Sequence, residues 1–106
     1  MSQADADSIG RRGTDEGGKM KETGTTHWYS PNTGATNESG FSALPGGYRS
    51  AFFEGYHAIG FGSFWWSSSE YSGLGAWYRD LSNDSSDIGR RNDSKLFGFS
   101  LRCVKD

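Results

Sequence analysis

The side chains best equipped for chemistry lie near the C-terminal end of this 106-residue chain, in SNDSSDIGRRNDS, residues 82–94. Asp80, Asp84, Asp87 and Asp93, interspersed with Asn83 and Asn92, are hard oxygen donors of the kind that Ca²⁺ accepts. Their spacing fits no EF-hand loop, so solvated loop acids are the stronger reading, and no metal or other cofactor is expected. Zinc would need a cluster of cysteines and histidines that the chain does not have. His27 and His57 are the only histidines, and each adjoins an aromatic residue, Trp28 or Tyr56, where packing or surface exposure outweighs catalysis. Ser67, Ser68 and Ser69 offer hydroxyls without the strand-turn-helix glycines of a nucleophile elbow. Glu54 and Glu70 could act as an acid and base pair, but nothing in their spacing requires it. The glycine-rich GFG and LPGGY lack the Lys-Ser/Thr that completes a phosphate loop.

Binding remains. The same run carries donors, acceptors and both charge signs, and Tyr71, Tyr78 and Phe97 border it with rings. Rigid amphipathic rings among short, adaptable hydrogen-bonding side chains make a recognition surface, and loops on a rigid scaffold carry function disproportionately. A solvated hairpin loop explains the composition equally well. A non-enzymatic binding domain is expected, with a ligand-binding set of Tyr71, Tyr78, Asp80, Asn83, Asp84, Ser85, Asp87, Arg91, Asn92, Asp93, Leu96 and Phe97.

The elements that must hold this run are legible in part. The length fits one domain. Hydrophobic residues are only 33% of the chain, so aromatics at 15% must supply the buried area. Sixteen glycines against two prolines point to turns and antiparallel strands rather than helices. A net charge of −2 without a basic stripe argues against nucleic acid, and no apolar run is long enough to span a membrane. MSQADADSIG has neither the basic nor the apolar region of a signal peptide. A cytosolic chain, export signals elsewhere and a fragment are all compatible with that. Residues 1–18 are charged and glycine-rich and read as a flexible tail, with residues 19–106 as the folded domain. A turn of helix is expected around Lys19 to Glu22, and a surface loop over PNTGATNESG, residues 31–40. Pro45, Gly46 and Gly47 form a rigid turn. Strands are expected over residues 63–71, 76–82 and 97–104, with Ile88 and Arg90 in a short strand or extended loop. Alternation puts Trp77, Arg79 and Leu81 on one face and Tyr78, Asp80 and Ser82 on the other. Phe97, Phe99, Leu101 and Cys103 share a face in the same way. Cys103 is the only cysteine, and a small buried hydrophobe is the plain reading of it.

Four strings in order, GGKMKETGTTHWYSPNTGATNESGFSALPGGYR, GSFWWSSSEY, AWYRDL and GFSLRCVKD, resemble the Fibrobacter succinogenes major paralogous domain (FISUMP) from about Gly17 to Asp106. The resemblance implies an extracytoplasmic domain of the kind abundant in Bacteroidetes and Fibrobacteres, extracellular or at the cell surface. It implies an α+β, mainly antiparallel β architecture with long loops, similar to the C-type-lectin-like fold. Family domains carry an upstream Cys-Pro-x-Gly-Trp segment that this chain lacks. The domain is therefore expected to be shortened at its N-terminus, Cys103 to lack its partner, and a second copy of the chain to cover exposed apolar surface. The Glu-Pro-Asn and Trp-Asn-Asp signatures of calcium lectins are missing, so calcium-dependent sugar binding is not implied.

The C-terminal segment also resembles the variable regions of diversity-generating retroelement target proteins. Trp77, Arg79, Leu81, Ile88, Arg90 and Lys95 sit where a scaffold would be. Tyr78, Asp80, residues 82–87, Gly89, residues 91–94, Leu96 and Phe97 are each reachable from an asparagine codon by changing adenines alone. The implied ligand is a protein or glycan met at a surface. A structural envelope module and a carboxylate-dependent hydrolase are the competing readings.

Overall fold

The computed structural model describes residues 1–102. In chain order the elements are α1 (Gln3–Asp7), β1 (Gly10–Arg12), α2 (Glu16–Met20), β2 (Tyr48–Arg49), β3 (Tyr56–His57), β4 (Gly62–Glu70), β5 (Gly75–Ser82) and β6 (Ile88–Ser94). One four-stranded sheet runs in the order β1-β6-β5-β4, and β2 with β3 forms a separate two-stranded ribbon. Every strand pairing is antiparallel. The architecture is mainly antiparallel β with short helices and long loops.

The β4-β5 hairpin is built by its aromatic and β-favouring residues. It is turned by Tyr71–Gly75, where the Ser72 hydroxyl accepts from the Gly75 N–H at 3.1 Å. Trp66 lies opposite Tyr78, Trp65 opposite Arg79 and Ser63 opposite Leu81, with an irregularity between Trp66 and Glu70. Opposed residues share a face, so the sheet has two distinct sides. One carries Trp65, Arg79, Leu81, Ile88 and Arg90; the other carries Phe64, Trp66, Tyr78, Asp80, Gly89 and Arg91.

The first side rests on the core. Trp28, Ala43 and Leu81 are fully buried, and Met20, Phe41, Trp65 and Ile88 pack against them. The Trp28 indole N–H donates to the Ala43 carbonyl at 2.9 Å, which satisfies its one polar atom. GFSALPGGYR and SFWWSSSEY do supply much of the packing, as their aromatic content predicts. Beside this core, Lys21 is wholly buried. Its Nζ donates to the carbonyls of Thr33, Ser82 and Ser85 at 2.8, 2.9 and 3.0 Å, tying the 31–40 loop to the β5-β6 turn.

Three expectations need correction. Residues 1–18 are not a loose tail: β1 adds an edge to the sheet, with Arg11 opposite Gly89 and Arg12 opposite Ile88. The segment has almost no apolar residues because arginine side chains hold it in place. Arg12 donates to the carbonyls of Ser8, Gly10 and Ile88, and Arg11 reaches two aspartates. The helix at this end is α2, beginning at Glu16 rather than Lys19. It lies so close to its neighbours that a Cβ on Gly17 would strike the Asp87 carbonyl, and one on Gly18 the Gly34 carbonyl. The stretch beginning at Phe97 is no continuous strand. It makes two single bridges, Gly98 to Arg49 and Ser100 to Trp65, and Leu101 is 72% exposed. Cys103 and Val104 lie outside the described residues. Residues 82–94 settle the alternative left open for Ile88 and Arg90 in favour of a strand. Only residues 83–87 form a turn; Ile88–Ser94 is a strand between β5 and β1.

Candidate functional site

The sheet side opposite the core carries an aromatic cluster. Phe99 lies at its centre, 4.6 Å from Tyr78, 4.4 Å from Trp66 and 5.7 Å from Phe64 between ring centroids. Tyr48, delivered by the LPGGYR turn, meets Phe64 edge-on at 5.1 Å, and Phe97 meets Phe52 edge-on at 5.7 Å. Between these rings opens a pocket of about 290 Å³, lined by Tyr48, Phe64, Tyr78, Asp93, Phe97 and Phe99. The one carboxylate there, Asp93, accepts from the N–H of its neighbour Ser94 at 2.8 Å. Burial, followed by the fields of Asp80 and Asp93, raises the Tyr78 hydroxyl above its ordinary value, so it stays a neutral donor and acceptor. The site therefore offers flat apolar faces, a phenol and a carboxylate. Beside the pocket, Phe52 and Phe53 are each 74% exposed and Tyr56 is 69% exposed.

A charge clamp lies on the same sheet side. The Arg11 guanidinium bridges Asp80 and Asp87, with Nε and Nη2 at 2.9 and 2.6 Å from Asp87 Oδ1. Arg91 stands 3.9 Å from the far oxygen of Asp80. Burial alone would raise the Asp87 carboxyl, but hydrogen bonds from Arg11 and the Ser85 hydroxyl outweigh it and hold it below the usual range. Burial opposes the charge on Arg11 too, and the two aspartates reverse that effect. Gly89 belongs to this arrangement, because a Cβ there would collide with the Asp80 carboxylate.

The structure sorts the predicted binding residues into distinct places. Tyr78, Asp93 and Phe97 meet in the aromatic pocket. Asp80, Asp87 and Arg91 form the clamp. Tyr78 and Asp80 are only 7% exposed, so they line and support the surface rather than project from it. Parity did place them on one face, but that face is covered by Phe99, Tyr48 and Arg11. Asn83 and Ser85 lie in the turn, where Asn83 donates to the Ser30 carbonyl at 3.2 Å and Ser85 donates to Asp87. Asp84 accepts from the Ser82 hydroxyl at 2.6 Å. Asn92 pairs opposite Trp77, on the core side of the sheet. Tyr71 packs edge-on to Trp77 at 5.3 Å, and Leu96 is 80% exposed.

Tyr48, Phe64, Phe99 and Arg11 belong to the site but were not anticipated. The alternation of Phe97 and Phe99 was a usable signal for Phe99; nothing local in GRRG pointed Arg11 at residues so distant in sequence. The catalytic candidates do not converge. His27 bonds Glu22 at 2.9 Å on the surface, Glu70 pairs with Lys95, and Ser67 donates to the Trp77 carbonyl at 3.1 Å. Among the described residues, no group of three or more His, Cys, Asp or Glu is arranged to hold a metal ion. No helix among them is long and apolar enough to cross a membrane.

Neither the curated proteins nor the solved structures yield a match to this chain. The family comparison does: the Fibrobacter succinogenes major domain matches over residues 1–105. That span includes the N-terminal residues that the sequence reading set apart, in keeping with their place in the sheet. The chain thus belongs to the Fibrobacter succinogenes major domain family.

Proposed function

We propose that this chain is a non-enzymatic binding domain of the extracellular or cell-surface space, which holds a protein or glycan ligand on its aromatic face. One observation carries the reading. The sheet leaves an open pocket walled by five aromatic rings with a single carboxylate, and solvent-exposed Phe52 extends it. Rings of this kind stack on sugar or side-chain faces, and Asp93 and the Tyr78 hydroxyl supply directional hydrogen bonds. Arg91, 53% exposed at its side chain, adds a cation at the margin. The C-type-lectin-like comparison fits the two antiparallel sheets and long loops, and belongs to this proposal. So does self-association through Phe52, Phe53 and Tyr56, which sedimentation at rising concentration tests.

Retroelement diversification is the finer form of the proposal, and the packing restricts where it would act. Tyr78, Asp80 and Gly89 are poor positions to randomise, since each is enclosed by fixed neighbours. Arg91, Asp93, Leu96 and Phe97 tolerate exchange more readily. A template repeat in the neighbouring DNA, with adenines at the codons for these four residues, is the expected finding.

The deciding experiment is a glycan- and protein-array screen of the chain with and without Ca²⁺, beside an Arg91→Ala/Phe97→Ala double variant. Arg91 is exposed and Phe97 half-buried among Tyr48, Phe52 and Phe99, so circular dichroism of the variant must first match that of the parent chain. A ligand bound at least about tenfold more weakly by the variant supports the aromatic face. Undiminished capture removes the site from this face, and no capture by folded chain favours a structural envelope module.

A further inference from the structure

The core side of the sheet holds a second pocket, of about 250 Å³, with mainly apolar walls from Phe41, Trp65, Leu81 and Ile88. Two guanidinium groups, Arg79 and Arg102, also line it. Arg79 occupies inner strand β5, with Trp65 opposite it on β4 and Arg90 opposite it on β6. Like charges directly opposed across a ladder repel. Neither neighbouring arginine brings a carboxylate. Arg90 lays its guanidinium over the Trp77 ring at 3.8 Å and donates to the Asp7 carbonyl. Arg12 donates to backbone carbonyls and the Ser8 hydroxyl. Arg102 stacks on Phe41 at 3.8 Å and donates to its carbonyl. Among the described residues, Arg12, Arg79, Arg90 and Arg102 take part in no ion pair. Asp7 acts in favour of the charge on Arg79, but its carboxylate makes no ion pair with it and accepts from Gln3 at 2.9 Å. Burial, then Arg90 and Arg12, all work against the charge on Arg79. A half-buried guanidinium in an apolar wall without an anion is an arrangement that proteins rarely leave uncompensated.

We propose that this pocket is a second binding site, for a small carboxylate with an apolar body: the carboxylate between Arg79 and Arg102, the body against Phe41, Trp65 and Leu81. A guanidinium presents paired donors in the geometry that a carboxylate accepts. The walls select for hydrocarbon rather than for a hydrated inorganic anion. The site lies on the opposite side of the sheet from the aromatic pocket and does not depend on the function proposed for that pocket.

The test is a thermal-shift and NMR titration of the full chain with acetate, butyrate and 3-phenylpropionate, and with 3-phenylpropanamide as the uncharged control. Affinity is expected to rise along the carboxylate series and to fall at least about tenfold for the amide. The Trp65 indole N–H signal should move with 3-phenylpropionate. Arg79→Met should abolish the response while leaving the unliganded chain as stable or more so, since it removes an uncompensated charge. A purely structural Arg79 would instead give a destabilised variant. Should Arg79→Met fail to fold, Arg102→Met, at the exposed rim, must weaken 3-phenylpropionate binding. Equal binding of acid and amide, binding undiminished in both arginine variants, or no response to any carboxylate overturns the proposal.

Discussion

At the scale of single residues, a buried ammonium and a half-buried carboxylate set the terms of stability. Lys21 has no water to solvate it, and three backbone carbonyls take that role. Lys21→Met would keep the volume and strand those acceptors, at a cost on the order of 3 kcal/mol, read from chemical denaturation. Burial, and then the nearby Arg11, lower the Lys21 ammonium from 10.5 to about 8. Between those two values the unfolded chain holds a proton that the folded chain has released, so stability should rise with pH across that window. Lys21→Met should lack this rise, as denaturation curves at a series of pH values would show. Asp87 is the converse case. Its folded-state value lies below its ordinary 3.8, so its contribution is complete above that value and is lost as pH falls through the lower one. Asp87→Asn should flatten the acid limb of the stability profile while lowering stability at neutral pH.

At the scale of elements, the sheet edge depends on charge rather than apolar burial. Arg11→Met, which keeps β1 in place over Asp80 while removing its main partner, should cost roughly 3 kcal/mol, since Arg91 at 3.9 Å compensates only in part. A loss of that size on denaturation distinguishes an edge strand from a dispensable tail. Gly17→Ala should be comparably harmful, because its Cβ meets the backbone of Asp87, which cannot swing aside. The same contrast explains what was legible in the sequence. β4 and β5 carry clusters of strand-favouring rings, Phe64 to Trp66 and Trp77 with Tyr78, and their ends are legible to within a residue. β6, IGRRNDS, has one apolar residue and owes its strand form to ladders on both sides, so its pattern fits a short strand and an extended loop alike. β1 is held by side-chain bonds to residues far along the chain, which no local window contains. Residues 97–101 alternate like a strand, but Phe97 and Phe99 spend that alternation on ring packing, with single bridges to Arg49 and Trp65. The shared strand face of Tyr78 and Asp80 is legible in the alternation of the hairpin, while the covering of that face by Phe99 and Arg11 comes from outside it.

At the scale of the whole molecule, a radius of gyration of 13.4 Å is that of an ordinary folded domain of this length. Among the described residues the buried apolar set is nevertheless small: Trp28, Ala43 and Leu81 in one cluster, and Tyr78 on the other side of the sheet. The many partly exposed rings serve two half-covered faces, each with its own pocket. Ligands on either face would therefore add to stability by mass action, and a saturating ligand at a hundred times its Kd should contribute about 2.7 kcal/mol. The β1-β6 pairing bears on how such a molecule is made. The Arg11–Asp87 contact joins residues 76 positions apart, and closing so large a loop comes late because its entropy is lost before the contact forms. During synthesis β1 precedes β6 and has nothing to pair with until the 76 residues from Arg11 to Asp87 have followed. The hairpin of β4 and β5 can form early, but β6 must be delivered before Arg11 finds its aspartates. Completion of the sheet therefore comes late in folding, and a folding intermediate should expose the β6 edge until β1 pairs with it.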